Sequence, residues 1–247
     1  MIITQPITML TDYAIALESV GFAIALLWMR PVAHPFAVRL WAIAFVATAV
    51  AAAVGGTCHG FLLYLANTTG LVLWKTVMVA LSLASSLMLW ATVVSAVGRR
   101  LHPWWLGAIG LKLALYLGWI AIDTSFTAVV VDYLSAMLLV LLLQLVVYRR
   151  GTKSEAKKPD FYSDPELLLT HSPKTQALGL DHQGLSAIWV IAGVIVSGIA
   201  ASVLSIQFTL ANGFSTNDLY HLIQMVALYL FYRGVCVLSE KGRSLST

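Results

Sequence analysis

The chain has 247 residues, 60% of them apolar and only 11% charged, with a formal net charge of +4. A soluble domain carries about a quarter charged residues, so the composition excludes that class. The positive balance reads as contact with anionic lipid head groups and not with nucleic acid.

Seven apolar stretches follow in order, at about 11–29, 39–65, 71–97, 104–122, 126–148, 186–208 and 217–238. Runs of about 20 apolar residues cross the hydrocarbon core of a bilayer. Strands of a membrane barrel are shorter and alternate, and these stretches do neither. With no water in the lipid to satisfy the backbone, they must be helices. The sequence therefore predicts an all-α membrane protein, a seven-transmembrane helix bundle. Helices 1–5 fall in residues 1–148, a polar cytoplasmic loop in 149–185, helices 6 and 7 in 186–238 and a tail in 239–247.

Of the fifteen Lys and Arg residues, all but Lys75 and Lys112 fall in alternate gaps, in the span ends that face those gaps (Arg39, Arg233), or at the tail. Positively charged loops stay cytoplasmic, which puts the N-terminus outside and the C-terminus inside. The chain is expected to be an integral, multi-pass protein of a plasma membrane or, in a bacterium, of the inner membrane.

Span 1 follows no basic region and no small-residue cleavage site, so it is expected to be retained and not removed as a signal peptide. Within it, Glu18 lies about 10 Å from the outer end, at 1.5 Å of rise per residue. Span 2 carries Gly55-Gly56-Thr57-Cys58-His59-Gly60. The glycines permit close approach of another helix, and His59 lies at a depth similar to Glu18 if the helix runs on to Leu65. Lys75 sits about one turn into span 3 from the same side. Span 4 has Lys112 near the midplane and Asp123 at its outer cap. Asp132 lies about 9 Å into span 5. Trp74, Trp104, Trp105 and Trp119, near span ends, form the aromatic belt expected at a membrane interface.

The segment 149–185 begins with Arg149-Arg150 and includes Lys153, Lys157, Lys158 and three prolines. It reads as a solvated loop against charged lipid heads, or as a docking place for a membrane-protein partner. Span 7 opens with Asn217-Asp218-Leu219-Tyr220-His221. Residues four apart share a helix face, so Asn217 and His221 project together, with Asp218 on an adjoining face. Asn217 or Asp218 also suits the cap of this helix. Cys58 and Cys236 fall near opposite membrane faces, beyond disulfide reach.

Charged groups in hydrocarbon are costly and face a bundle interior or a cavity. Glu18, His59, Lys75, Asp132 and His221 approach one depth from helices that alternate in direction. A polar pocket opening outward follows. In it, Glu18 or Asp132 neutralises Lys75 or Lys112, and the histidines meet a carboxylate or a metal. Zinc accepts imidazole nitrogen and carboxylate oxygen; His59 and His221 with Asp218, Asn217 or Asp132 would supply such a set. Taken singly, each histidine reads as a hydrogen-bonded core residue.

In Gly55–Gly60 and Asn217–His221 the chain resembles the CREST-type hydrolase superfamily of alkaline ceramidases and progestin/adiponectin receptors. Members carry a Ser and a His near the end of helix 2, an Asp on helix 3 and HxxxH opening helix 7. Their three histidines bind zinc, which activates water to cleave a lipid amide. The resemblance implies His59 as the helix 2 histidine and His221 as the second histidine of helix 7. Asn217 stands at the first of that pair, Gly55 at the serine, and span 3 carries Lys75 and no Asp. It thus implies a zinc site completed by Asp218 or Asp132, or a relative that has lost both metal and chemistry.

Two function classes follow. One is an intramembrane zinc-dependent hydrolase of a lipid amide or ester. Its metal ligands are His59 and His221 with Asp218 or Asn217, and Asp132 or Glu18 is general base or partner of a ligand. The other is a non-catalytic subunit of a membrane complex, or a receptor-like bundle, whose polar cluster is a ligand pocket or a hydrogen-bond network. Tetrapyrrole binding through a histidine and a proton relay are further classes. The relay lacks polar groups toward the cytoplasm, and a retinal Schiff base lacks a lysine on span 7.

Overall fold

The computed structural model describes residues 3–155, 182–206 and 214–240. Seven helices account for nearly all of them: α1 (Pro6–Trp28), α2 (Pro35–Phe61), α3 (Asn67–Ala96), α4 (His102–Ile122), α5 (Phe126–Glu155), α6 (His182–Val203) and α7 (Thr216–Ser239). All seven are long and apolar enough to cross a membrane, so the chain is a multi-pass helical membrane protein.

Helix ends follow local chemistry more than hydropathy. Pro6 opens α1 and Pro35 opens α2, and Pro103 lies in the first turn of α4. Proline suits a first turn, where its missing N–H has no intrahelical partner to lose. Consequently α1 begins at Pro6 and not at residue 11. α2 stops at Phe61, ahead of a short 3-10 turn over Leu62–Tyr64, and does not reach Leu65. α5 continues to Glu155, so the first residues of the expected loop 149–185 are helical. Positions 156–181, and any partner docking there, lie outside the described residues.

Six helices form a closed wall. α1 packs on α2, α2 on α3, α3 on α5, α5 on α6, α6 on α7, and α7 back on α1. α4 stands outside this wall against α3 and α5. It is fastened there by polar contacts: Lys112 Nζ lies 2.7 Å from Asp132 Oδ1, and Tyr116 donates its hydroxyl to the Met78 carbonyl at 3.1 Å. Lys75 Nζ donates to the Ala121 carbonyl at the end of α4 at 3.3 Å. The intramembrane lysines are thereby satisfied, and the expected pairing of Lys112 with Asp132 is present.

The half of the bundle where α1, α3 and α7 end is filled by aromatic side chains. Trp41, Phe45 and Phe231 are fully buried, Phe22 stacks on Tyr232 at 4.5 Å, and Trp41 meets Phe231 at 5.6 Å. The α1–α2 turn closes this end, its Val32 and Ala33 amides donating to the Ser239 carbonyl at 3.0 and 3.1 Å.

Candidate functional site

The opposite half of the wall encloses a cavity of about 420 Å³. It runs from Trp74 and Asn217, near the helix ends, down to Met88 and Leu228. Ile15, Val77, Leu81, Phe126, Val129 and Leu134 make much of its lining apolar. Polar groups enter from α1, α2, α5, α6 and α7.

The sharpest of these is a contact between α1 and α7. Asp12 Oδ1 lies 3.4 Å from His221 Nε2, and both residues line the cavity. The other ring nitrogen, Nδ1, lies 2.9 Å from Thr11 Oγ1, so α1 engages both nitrogens. Asp12 Oδ2 is buried with no hydrogen-bond partner among the described residues. Small residues on α2 let α1 come this close. A methyl group built on Gly56 would sit 3.1 Å from the Met9 carbonyl and from Asp12 Cβ, and one on Gly60 would overlap the Met9 sulfur. The glycines of span 2 therefore act as expected, by close helix approach.

His59 is placed by the start of α1. Its Nδ1 donates to Gln5 Oε1 at 2.7 Å, and the Thr4 and Gln5 amides donate to the Gly60 and His59 carbonyls. Those amides satisfy carbonyls that the end of α2 leaves free. A second polar group lies on the α5–α6–α7 side. Ser197 Oγ is 3.2 Å from the Tyr133 hydroxyl and accepts from Gln224 Nε2 at 3.3 Å. All three residues line the cavity.

Of the residues singled out in the sequence, His59, Asn217 and His221 are brought to one cavity. The other three are elsewhere. Asp218, fully buried, closes a capping box at the start of α7: its Oδ2 accepts the Ser215 amide at 2.6 Å and the Ser215 hydroxyl at 2.9 Å. Its Oδ1 accepts from Thr8 at 2.7 Å. The cap of α7 is therefore Ser215 with Asp218, not Asn217. Asp132 faces α4 and α3, accepting from Lys112 and from Ser85 at 3.1 Å. Glu18 does not line the cavity, and its buried Oε2 has no hydrogen-bond partner among the described residues.

Zinc does not fit the donors as they stand. Among the described residues no three His, Cys, Asp or Glu side chains are grouped closely enough to hold a metal. Asp218 is committed to its cap, and both nitrogens of His221 are engaged.

Asp12, Thr11, Tyr133, Ser197 and Gln224 are site residues that sequence reasoning missed. For Asp12 a signal existed. Pro6 marks the true start of α1, which puts Asp12 about 9 Å into the helix and at the depth of His221's neighbours.

The chain belongs to DUF6962, a family of unknown function, whose model matches residues 7–158 and 168–239. No curated protein and no solved structure matches it.

Proposed function

We propose that this member of DUF6962 takes one amphipathic, lipid-derived molecule into its cavity, with the apolar chain along the wall and the polar head at the Asp12–His221 end. A single arrangement supports this: a mostly apolar cavity of about 420 Å³ that carries a buried carboxylate–imidazole contact at 3.4 Å. Small-molecule sites of ~300–1,000 Å³ have the same make-up, apolar walls with a few convergent polar groups. The surrounding bilayer supplies such ligands at high local concentration. The pattern of Lys and Arg favours an orientation with this end of the bundle toward the exoplasmic side.

Native mass spectrometry of protein released from a non-ionic detergent tests the proposal. Wild-type protein should carry one amphiphile or take up one molecule of added dodecanol. Ala84→Phe, which fills the wall of the cavity, should lose it while keeping its helical circular dichroism. Wild-type protein that carries and acquires nothing rejects the proposal.

Hydrolysis of an ester or amide in the bound molecule is the second reading. The Asp12–His221 contact favours it, since a carboxylate orients an imidazole for general base work; water would have to take the place of Thr11 at Nδ1 to give up its proton there. This version routes no step through zinc, because the donors present do not form its ligand set. Turnover of a fluorogenic long-chain ester or amide, lost in both His221→Gln and Asp12→Asn, would establish it. No turnover by wild-type protein that binds the ester leaves the non-catalytic class.

A further inference from the structure

Building on the amphiphile site proposed above, we infer that the cavity selects a positively charged, hydrogen-bond-donating head, an alkylammonium, and that Asp12 Oδ2 is the atom that receives it.

Three observations carry this. The first is an unfilled acceptor. Asp12 is 6% exposed, Oδ1 has its histidine, and Oδ2 has no partner among the described residues although the side chain lines the cavity. Buried carboxylates are paired or hydrogen-bonded, because leaving one bare costs more than almost any other defect. A donor at Oδ2 would complete this one and favour its ionised form. Gly55, against which Oδ2 sits, also lines the cavity, and a Cβ added there would lie at ordinary contact distance, 3.4 Å, from the oxygen.

The second is the sign of the charge. Among the described residues the lining contains Asp12, His59 and His221 but no Lys or Arg. The two lysines inside the spans are used elsewhere, Lys112 on Asp132 and Lys75 on the Ala121 carbonyl. A fatty-acid carboxylate or a phosphate would find no lysine or arginine among the described lining residues to receive it. A neutral alcohol could fill the hydrogen bond but not the ion pair.

The third is the aromatic share of the lining. Trp74, Phe126, Tyr133 and Tyr220 present rings to the same space. Ring faces attract cations and do not attract anions.

The test compares three head groups on one chain. Full-length protein in zwitterionic nanodiscs is titrated at pH 7 with dodecylammonium, dodecanol and dodecanoate, and uptake by empty discs is subtracted. Wild-type protein should bind the ammonium at least about tenfold more tightly than the alcohol, with the carboxylate weakest. Asp12→Asn should remove most of the ammonium's advantage over the alcohol. Equal affinity for ammonium and alcohol, or a preference for dodecanoate, overturns the head-group assignment and leaves the amphiphile site standing. No saturable binding of any of the three overturns both. Should Asp12→Asn fail to fold, the wild-type ratio decides alone.

Discussion

Asp132 and Tyr133 are adjacent on α5 and turn to different sides of the wall. The carboxylate meets Lys112 of α4 at 2.7 Å, while the phenol lines the cavity 3.2 Å from Ser197. One residue turns a helix by about 100°, enough to move a side chain from the interior to an outer groove. The ion pair therefore belongs to assembly of the bundle and not to the cavity.

Removing one partner of that pair should be costly. Lys112→Ala strands a carboxylate that is 4% exposed, and breaking a buried pair in this way costs about 3 kcal/mol. Lys112→Met with Asp132→Leu should recover most of the loss, since no charge is left behind. Thermal unfolding in detergent checks both, and dodecanol uptake by the double variant should match wild type.

Glycines on α6 and α4 should respond in opposite ways to the same substitution. A Cβ on Gly193 would lie 2.6 Å from the ring of Phe231, which is fully buried. Gly193→Ala is expected to lose about 1–3 kcal/mol to overpacking. A Cβ on Gly110 meets nothing within 4 Å, so Gly110→Ala should be neutral or gain up to about 1 kcal/mol, what helix propensity supplies. Equal melting temperatures for the two variants would contradict the packing of α6 on α7.

Asp218 should behave as a structural cap. Asp218→Ala leaves the Ser215 amide and the Thr8 hydroxyl without their acceptor, a loss of about 1–3 kcal/mol. Head-group preference in the cavity should persist. Loss of bound zinc in this variant alone, by elemental analysis, would instead restore Asp218 as a ligand.

The turn between α4 and α5 should loosen in acid. Asp123 accepts the Ser125 amide at 2.8 Å and the Ser125 hydroxyl at 3.0 Å, and these bonds hold its carboxyl below the ordinary value of 3.8. A depressed folded-state pKa adds stability above the unfolded value and loses it as pH falls through the folded one. Protection of the Ser125 amide from hydrogen exchange should therefore fall below pH 3.8, and Asp123→Asn should remove that step.

The seven spans were legible because hydropathy and the backbone's need for hydrogen bonds act on long runs. The convergence of His59, Asn217 and His221 was legible too, since depth along a helix follows from counting residues. Rotation about the helix axis was not. Asp132 reaches the right depth on the wrong face, and Asp218 turns back to its own helix end. Asp12 was hidden by a boundary: five residues of error at the start of α1 move it from the helix end to about 9 Å inside. Nor does a sequence say which helix will stand outside a ring, and that choice removed Lys75, Lys112 and Asp132 from the cavity together.

With α4 outside, neighbours around the wall run antiparallel except at two joints, α3 with α5 and α7 with α1. No short connection of the chain bridges either joint. The barrel of helices is two continuous arcs, α1–α2–α3 and α5–α6–α7, leaning together. α4 lies over the first joint as a clasp; the second is held at the cavity end by Thr8 on Asp218 and Thr11 against His221, and at the other end by Phe22 on Tyr232 and the α1–α2 turn on Ser239. Among the described residues no helix lies over the second joint, and the imidazole that holds its cavity end also touches Asp12.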